Sequence, residues 1–222
     1  MAMLRALALR FANSTLPESK ILWGCLLLSF FFLERGGEVW GGTHALTMEN
    51  ITLWEGEFKQ WDGSSKNYPR AITLKWPTDK TRTGAEITMF ASGDKDLCPV
   101  KGMLIVLQGR AMLRQQNKVV TKFVASGSAK SKASSAIKWS ARKCGISENL
   151  DRYVIHSMRV GGTTALAAAG EQEMIVRLLG RWKSTTVRTY TRRLRGTFAG
   201  LSGVMISENQ DEAIAWGRGS TV

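Results

Sequence analysis

Histidine, cysteine and tyrosine are scarce in this chain, at two, three and three residues among 222. The cysteines, Cys25, Cys98 and Cys144, are odd in number, far apart and outside any metal-ligand spacing. That excludes a disulfide framework and a zinc site as organising features, and it points to a reducing compartment. The sequence has no cluster of metal ligands and no phosphate-cradling glycine loop, so no metal or nucleotide cofactor is expected. The apolar run "ILWGCLLLSFFFL" at residues 21–33 is followed at once by Glu34 and Arg35, whereas a bilayer span needs about 20 residues. It reads as a buried core helix, and no membrane partner is expected. Negative charge is the remaining shortage: 18 acidic residues face 31 basic ones, giving +13 and a pI near 10.1. A field of that sign selects a polyanion, nucleic acid ahead of an anionic membrane surface.

What is present suffices for a folded protein, because 44% hydrophobic residues can fill the core of one domain or of two small ones. The first twenty residues carry Arg5 and Arg10 on an Ala/Leu background. They read as an amphipathic first helix, with a mitochondrial presequence as the less favoured alternative because of Glu18. Helical patterning runs over 17–40, with Pro17 suited to a first turn. The period then changes. Residues 51–58, 71–76 and 86–91 are short, β-branched and aromatic, and are separated by Gly, Asn, Pro and Asp, which predicts a three-stranded antiparallel sheet. Lys80 falls in the turn between the second and third strands. Helical spacing returns after Pro99, the small polar stretch 125–135 reads as a surface loop or helix entry, and helices dominate from there. Gly145, Gly170 and Gly180 are candidate helix stops, and Ser184 is a candidate N-cap for a last helix carrying Tyr190. The expected class is α+β, mostly helical with a small sheet.

Between residues 153 and 193 stand "HSMR" (His156 and Arg159), "LLGRW" (Arg181 and Trp182) and Tyr190. This stretch resembles the catalytic core of the tyrosine recombinases, or phage-type integrases. Their signature is His-x-x-Arg on a helix, a Leu-Gly-His or Leu-Gly-Trp turn, and a nucleophilic tyrosine nine or ten residues on. The wording "HSMRVGGTTAL" with "LGRWKS" is most similar to recombinases of eukaryotic mobile elements. The family also uses an upstream Arg-x-x-Glu, here Arg35 and Glu38, and a lysine in a β-turn, here Lys80, with Lys75 a nearby competitor. The resemblance implies a DNA breaking-rejoining catalytic domain over 17–195, preceded by a helical extension at 1–16 and followed by a tail at 196–222.

It also implies roles. Arg35, Lys80, His156, Arg159 and Tyr190 become catalytic residues, Arg181 and Trp182 substrate-binding ones, and no cofactor is required. Attack of a tyrosine oxygen on a phosphodiester builds negative charge on phosphorus, which two guanidinium forks can hold bidentately. His156 can handle the tyrosine proton and Lys80 can protonate the departing 5′ oxygen. The implied partner is double-stranded DNA, with a homo-oligomer assembled on it, in a nuclear or nucleoid-associated location. Family members carry a further helical domain ahead of the catalytic one, and too few residues precede Arg35 here to supply it.

Each element also has a plainer reading: Arg35 as a helix-end charge, His156 as a core histidine, Lys80 as a solvated turn residue, Tyr190 as an anchor on a basic helix. Three features depart from the family pattern. Nine residues before Tyr190 stands Arg181, with Trp182 one place over. Gly36, Gly37, Gly41 and Gly42 surround Arg35, and Glu34 puts a carboxylate beside it. The readings left open are therefore an inactive DNA-binding relic of a mobile element and a type IB topoisomerase-like activity. In the tail, Phe198, Leu201, Val204 and Met205 either dock on a neighbouring protomer or fold back on their own core.

Overall fold

In the computed structural model, which describes residues 1–41, 44–56, 59–63, 68–77, 84–182 and 201–206, Pro17 opens the helix around which the other elements pack. This helix, α2 (Pro17–Phe31), buries twelve of its fifteen residues, so it has no solvent face. Ahead of it α1 (Ala2–Phe11) turns Leu4, Leu7, Ala8 and Phe11 inward at i, i+3, i+4, i+7 spacing. Its Arg10 lies over the Trp139 ring at 4.3 Å and its Arg5 pairs with Asp94 at 2.7 Å. The first helix thus shares the main core.

The helix expected over 17–40 ends early. Glu34 N–H reaches back to the Ser29 carbonyl at 3.0 Å and Leu33 adopts a left-handed φ of 49°, a Schellman closure with leucine where glycine is usual. One short turn, α3 (Gly36–Val39), restarts beyond Arg35. The three-stranded antiparallel sheet is as expected, with β1 (Ile51–Trp54), β2 (Ala71–Trp76) and β3 (Ala85–Phe90) in the order β1-β2-β3, except that the first strand, expected over 51–58, ends at Trp54 and gives way to a bend. Ile72, Leu74, Trp76, Ile87 and Met89 face the core, while Lys75 is exposed opposite Glu86. On the other side of the central strand, Thr73 Oγ1 lies 2.7 Å from Thr88 Oγ1 and accepts from Trp54 Nε1 at 2.7 Å.

Helices α4 (Pro99–Gln115), α5 (Lys130–Lys143), α6 (His156–Ala168) and α7 (Glu173–Gly180) follow. α5 begins inside the stretch read as loop or helix entry, so that stretch is a helix entry, with Val124 and Ala125 buried just ahead. Gly145 and Gly170 take positive φ after α5 and α6, as helix stops do. Last comes α8 (Leu201–Val204). Ser202 Oγ donates to the Phe90 carbonyl at 2.5 Å, and Met205 is fully buried, so this part of the tail packs within its own chain, against β3 and α6. Phe198 lies outside the described residues. Among the described residues, no helix is long and apolar enough to cross a membrane.

α2 and α4 meet along a seam of small residues. A Cβ on Gly24 would sit 2.3 Å from the Gly102 carbonyl oxygen and 2.5 Å from Val106 Cγ2, and one on Gly109 would sit 2.7 Å from the Pro17 carbonyl oxygen. Gly24→Ala is expected to lower unfolding free energy by about 1–3 kcal/mol, the range for overpacking a close contact. Gly37→Ala, in α3 with nothing within 4 Å, is expected to be neutral or stabilising by up to about 1 kcal/mol. Urea titration of both variants measures the contrast, and equal losses would place the seam elsewhere.

Candidate active site

Arg159 lies in the first turn of α6, and a glycine decides where that helix crosses α2. A Cβ on Gly162 would meet the Phe30 carbonyl oxygen at 2.3 Å and Leu33 Cδ2 at 2.5 Å. This approach sets Arg159, buried to 4% exposure, against the end of α2. Its Nη1 donates to the Leu33 carbonyl, 126 residues away in sequence, and its Nη2 donates to the Gly180 carbonyl at the end of α7. The Trp182 ring centroid lies 4.4 Å from the Arg159 guanidinium carbon, a cation-π contact. Trp182 folds back over Gly180: a Cβ there would fall 1.8 Å from the indole. Gly180 is thus the last helical residue, kept small by Trp182, while the left-handed cap is Arg181 at φ 56°.

Arg35 is the N-cap of α3. Its backbone N–H donates to Glu38 Oε2 at 2.7 Å and its Nη1 donates to Glu38 Oε1 at 2.8 Å. Its side chain keeps 23% exposure. The Arg181 side chain, at 3% exposure, points the other way, into the core. Nη1 donates to the Phe32 carbonyl at 2.9 Å, Nη2 pairs with Glu38 Oε2 at 2.6 Å and Glu34 Oε2 at 3.3 Å, and the Trp76 ring lies beneath at 4.0 Å. Glu34, which in sequence sits beside Arg35, is fully buried facing Arg181 instead.

Of the residues singled out by sequence, the fold gathers Arg35, Arg159, Arg181 and Trp182 around residues 32–38. His156 opens α6 and is exposed. The residue before it, Ile155, packs on Gly36, where a Cβ would lie 2.4 Å from Ile155 Cγ2, so His156 and Arg35 flank one contact of a side chain with the backbone. Lys80 and Tyr190 lie outside the described residues. Three participants were not found by sequence reasoning. Trp76 closes β2 as an ordinary strand aromatic, Glu34 read as a misfit, and Lys130, whose Nζ lies 3.6 Å from a Cβ position on Gly36, read only as part of a surface loop or helix entry.

Burial, above all, pushes the Glu34 carboxyl well above its ordinary range; the Arg181 charge opposes this and the Glu38 carboxylate adds to it. Burial also works against the Glu38 carboxylate. The Arg181 charge, a hydrogen bond from Glu34 and the Arg35 backbone N–H overcome it and hold Glu38 at about 2. Arg159 is pushed down to about 10, by burial first and then by Arg181 and Arg35, and stays charged at neutral pH. Glu34 is thus shifted toward its neutral form, and three guanidinium groups stand around the ionised carboxylate of Glu38. A positive excess whose open side is Arg35 suits an anionic group.

No family model matches the chain and no curated protein matches it, so the reading of this site rests on its residues.

These protonation states set a pH dependence. Glu38 has a folded pKa below its ordinary 4.5, so its stabilisation is complete above about 4.5 and is lost as pH falls toward about 2. Glu34 acts with the opposite sign: its folded value is raised, so stability is lost as pH rises from 4.5 through that value. Glu38→Gln is expected to cost roughly 3 kcal/mol at pH 7 and to flatten the acid limb, at about 1.4 kcal/mol per pKa unit. Glu34→Gln, which mimics the neutral acid, is expected to match or exceed the native protein at pH 8. Urea midpoints across pH 2–9 measure both, and a steeper acid limb in Glu38→Gln would refute the assignment.

Proposed function

We propose that this chain is a tyrosine-recombinase catalytic domain that cleaves and rejoins double-stranded DNA through a 3′-phosphotyrosine on Tyr190. The observation that carries the reading is the meeting of Arg159 with the turn that precedes Arg35. Arg159 donates to the Leu33 carbonyl across 126 residues of sequence, and Trp182 stacks on the same guanidinium. Two arginines and an indole from three separate motifs thus come together, as the motif order requires.

In this mechanism the Tyr190 phenol oxygen attacks the scissile phosphorus and its proton passes to His156. The bond from phosphorus to the 5′ oxygen breaks, and Lys80 protonates that oxygen, leaving a 5′ hydroxyl. Arg35 and Arg159 hold the non-bridging oxygens as charge grows on them. The phosphotyrosine conserves the energy of the broken bond, and a 5′ hydroxyl from a second strand reverses the steps. The chemistry needs no cofactor. The protein works as a homo-oligomer on DNA, in the nucleus or nucleoid.

An inactive DNA-binding relic is the second reading, favoured by the burial of Arg159, two of whose five N–H donors are directed at main-chain carbonyls. A nicked suicide duplex separates the two. Active protein gives a covalent adduct on a denaturing gel, Tyr190→Phe gives none while binding DNA as before, and a relic gives none in either form. An adduct that persists in Tyr190→Phe moves the nucleophile elsewhere. In both readings the +13 charge predicts steep salt dependence, with a log-log slope of about −0.9 per neutralised phosphate. A slope near zero between 50 and 200 mM salt, roughly the span over which phosphate contacts weaken, would remove DNA as the partner.

A further inference from the structure

Arg181 and Trp182 are adjacent in sequence and face opposite ways. Trp182 is 37% exposed and lies over Arg159, while the Arg181 side chain is at 3% exposure with acceptors on both terminal nitrogens and an indole under its face. A DNA phosphate has no path to it. Its strongest bond instead goes to Glu38 Oε2, the same oxygen that accepts the Arg35 backbone N–H, and the other oxygen of that carboxylate holds the Arg35 guanidinium. Two charge-assisted links therefore run from the end of α7 to the Arg35 head group.

The backbone near Arg35 needs such a tether. Gly36 and Gly37 follow it directly, and its N-cap conformation is held by Glu38. The same two turns are joined a second time by Arg159, which donates to the carbonyls of Leu33 and Gly180. Leu33 and Arg181 are the two bulky residues with positive φ among the described residues, the other two non-glycine cases being asparagines. Strained backbone of this kind persists where surrounding contacts over-determine it, and it gathers at functional sites.

From this geometry we infer that Arg181 is a positioning residue, which through Glu38 fixes the Arg35 guanidinium at a set distance from Arg159 so that both can engage one phosphate. The inference rests on the recombinase reading for its phosphate, though not for the coupling itself, and the experiment keeps the two apart.

The test compares Arg181→Lys with Arg110→Lys in the full chain. Arg110 is the matched control, a buried arginine whose Nη1 and Nη2 donate to the carbonyls of Phe123 and Thr121. Side-chain 15N relaxation reads the order of the Arg35 Nε–Hε group without DNA, the signal being assigned by its loss in Arg35→Lys. Arg181→Lys is expected to lower that order and Arg110→Lys to leave it unchanged. On the suicide duplex, Arg181→Lys is expected to slow single-turnover cleavage by about a hundredfold, the scale of an ångström's misplacement, with DNA Kd unchanged. Should Arg181→Lys not fold, the double variant Glu34→Gln with Arg181→Gln is read in the same way. Unchanged Arg35 order in the variant overturns the positioning role, as does native-rate cleavage. Loss of Arg35 order in a protein that forms no adduct even in its native form keeps the positioning role and sinks the recombinase reading.

Discussion

The organising constraint in this molecule is a carboxylate that cannot be buried alone. Glu38 is almost without exposure, and isolated in an apolar medium its charge would be prohibitive. Arg181 reaches it through the core from one side and Arg35 from the surface side. A buried pair of this kind is weak evidence for stability, because desolvation offsets much of the attraction, while removing one partner typically costs about 3–5 kcal/mol. What the pair does is fix position. The end of α2, the turn of α3 and the end of α7 are joined through a single side chain, and none of them can move without stranding a charge.

Small residues make that arrangement reachable. The Gly24, Gly102 and Gly109 contacts draw α4 onto α2, and Gly162 lets α6 cross at the carbonyl of Phe30, close enough for Arg159 to reach Leu33. Gly180 lets the Trp182 indole fold flat onto the end of α7. These glycines work chiefly by lacking a Cβ where backbone or ring must pass, which differs from the positive-φ role of Gly145 and Gly170. Loss of such a contact would move Arg159 by the width of a methyl group, with consequences for every bond it makes.

Much of the fold was legible in the chain, and the reasons are local. β-Branched runs separated by turn formers mark the sheet, Pro17 marks the start of α2, and an unbroken apolar run marks it as the core helix. The end of α2 was not legible, because the left-handed position that ends it is taken by Leu33, and leucine there costs roughly 1–2 kcal/mol that only tertiary contacts can offset. The inward direction of Arg181 was hidden for a related reason. Apart from a long contact to the Leu179 carbonyl at 3.4 Å, its acceptors come from residues 32, 34 and 38 and its stacking partner from β2, so little near position 181 announces the side on which it lies. Glu34 read as a carboxylate spoiling Arg35; in the fold it joins a hydrogen bond that helps to keep Glu38 ionised.

Were Glu34 ionised as well, two carboxylates would face three guanidinium groups and the positive excess would be smaller. Burial shifts Glu34 toward its neutral form, which leaves more of the guanidinium charge uncompensated, and Lys130 beside Gly36 adds a further cation at the rim. The fold thus places one anion among several cations and spends that anion on holding Arg35. The remaining positive charge is directed at whatever enters from the side where Arg35 and Trp182 are exposed. For a chain carrying +13 overall, long-range attraction favours polyanions at the surface, and the local excess beside Arg35 has the same sign.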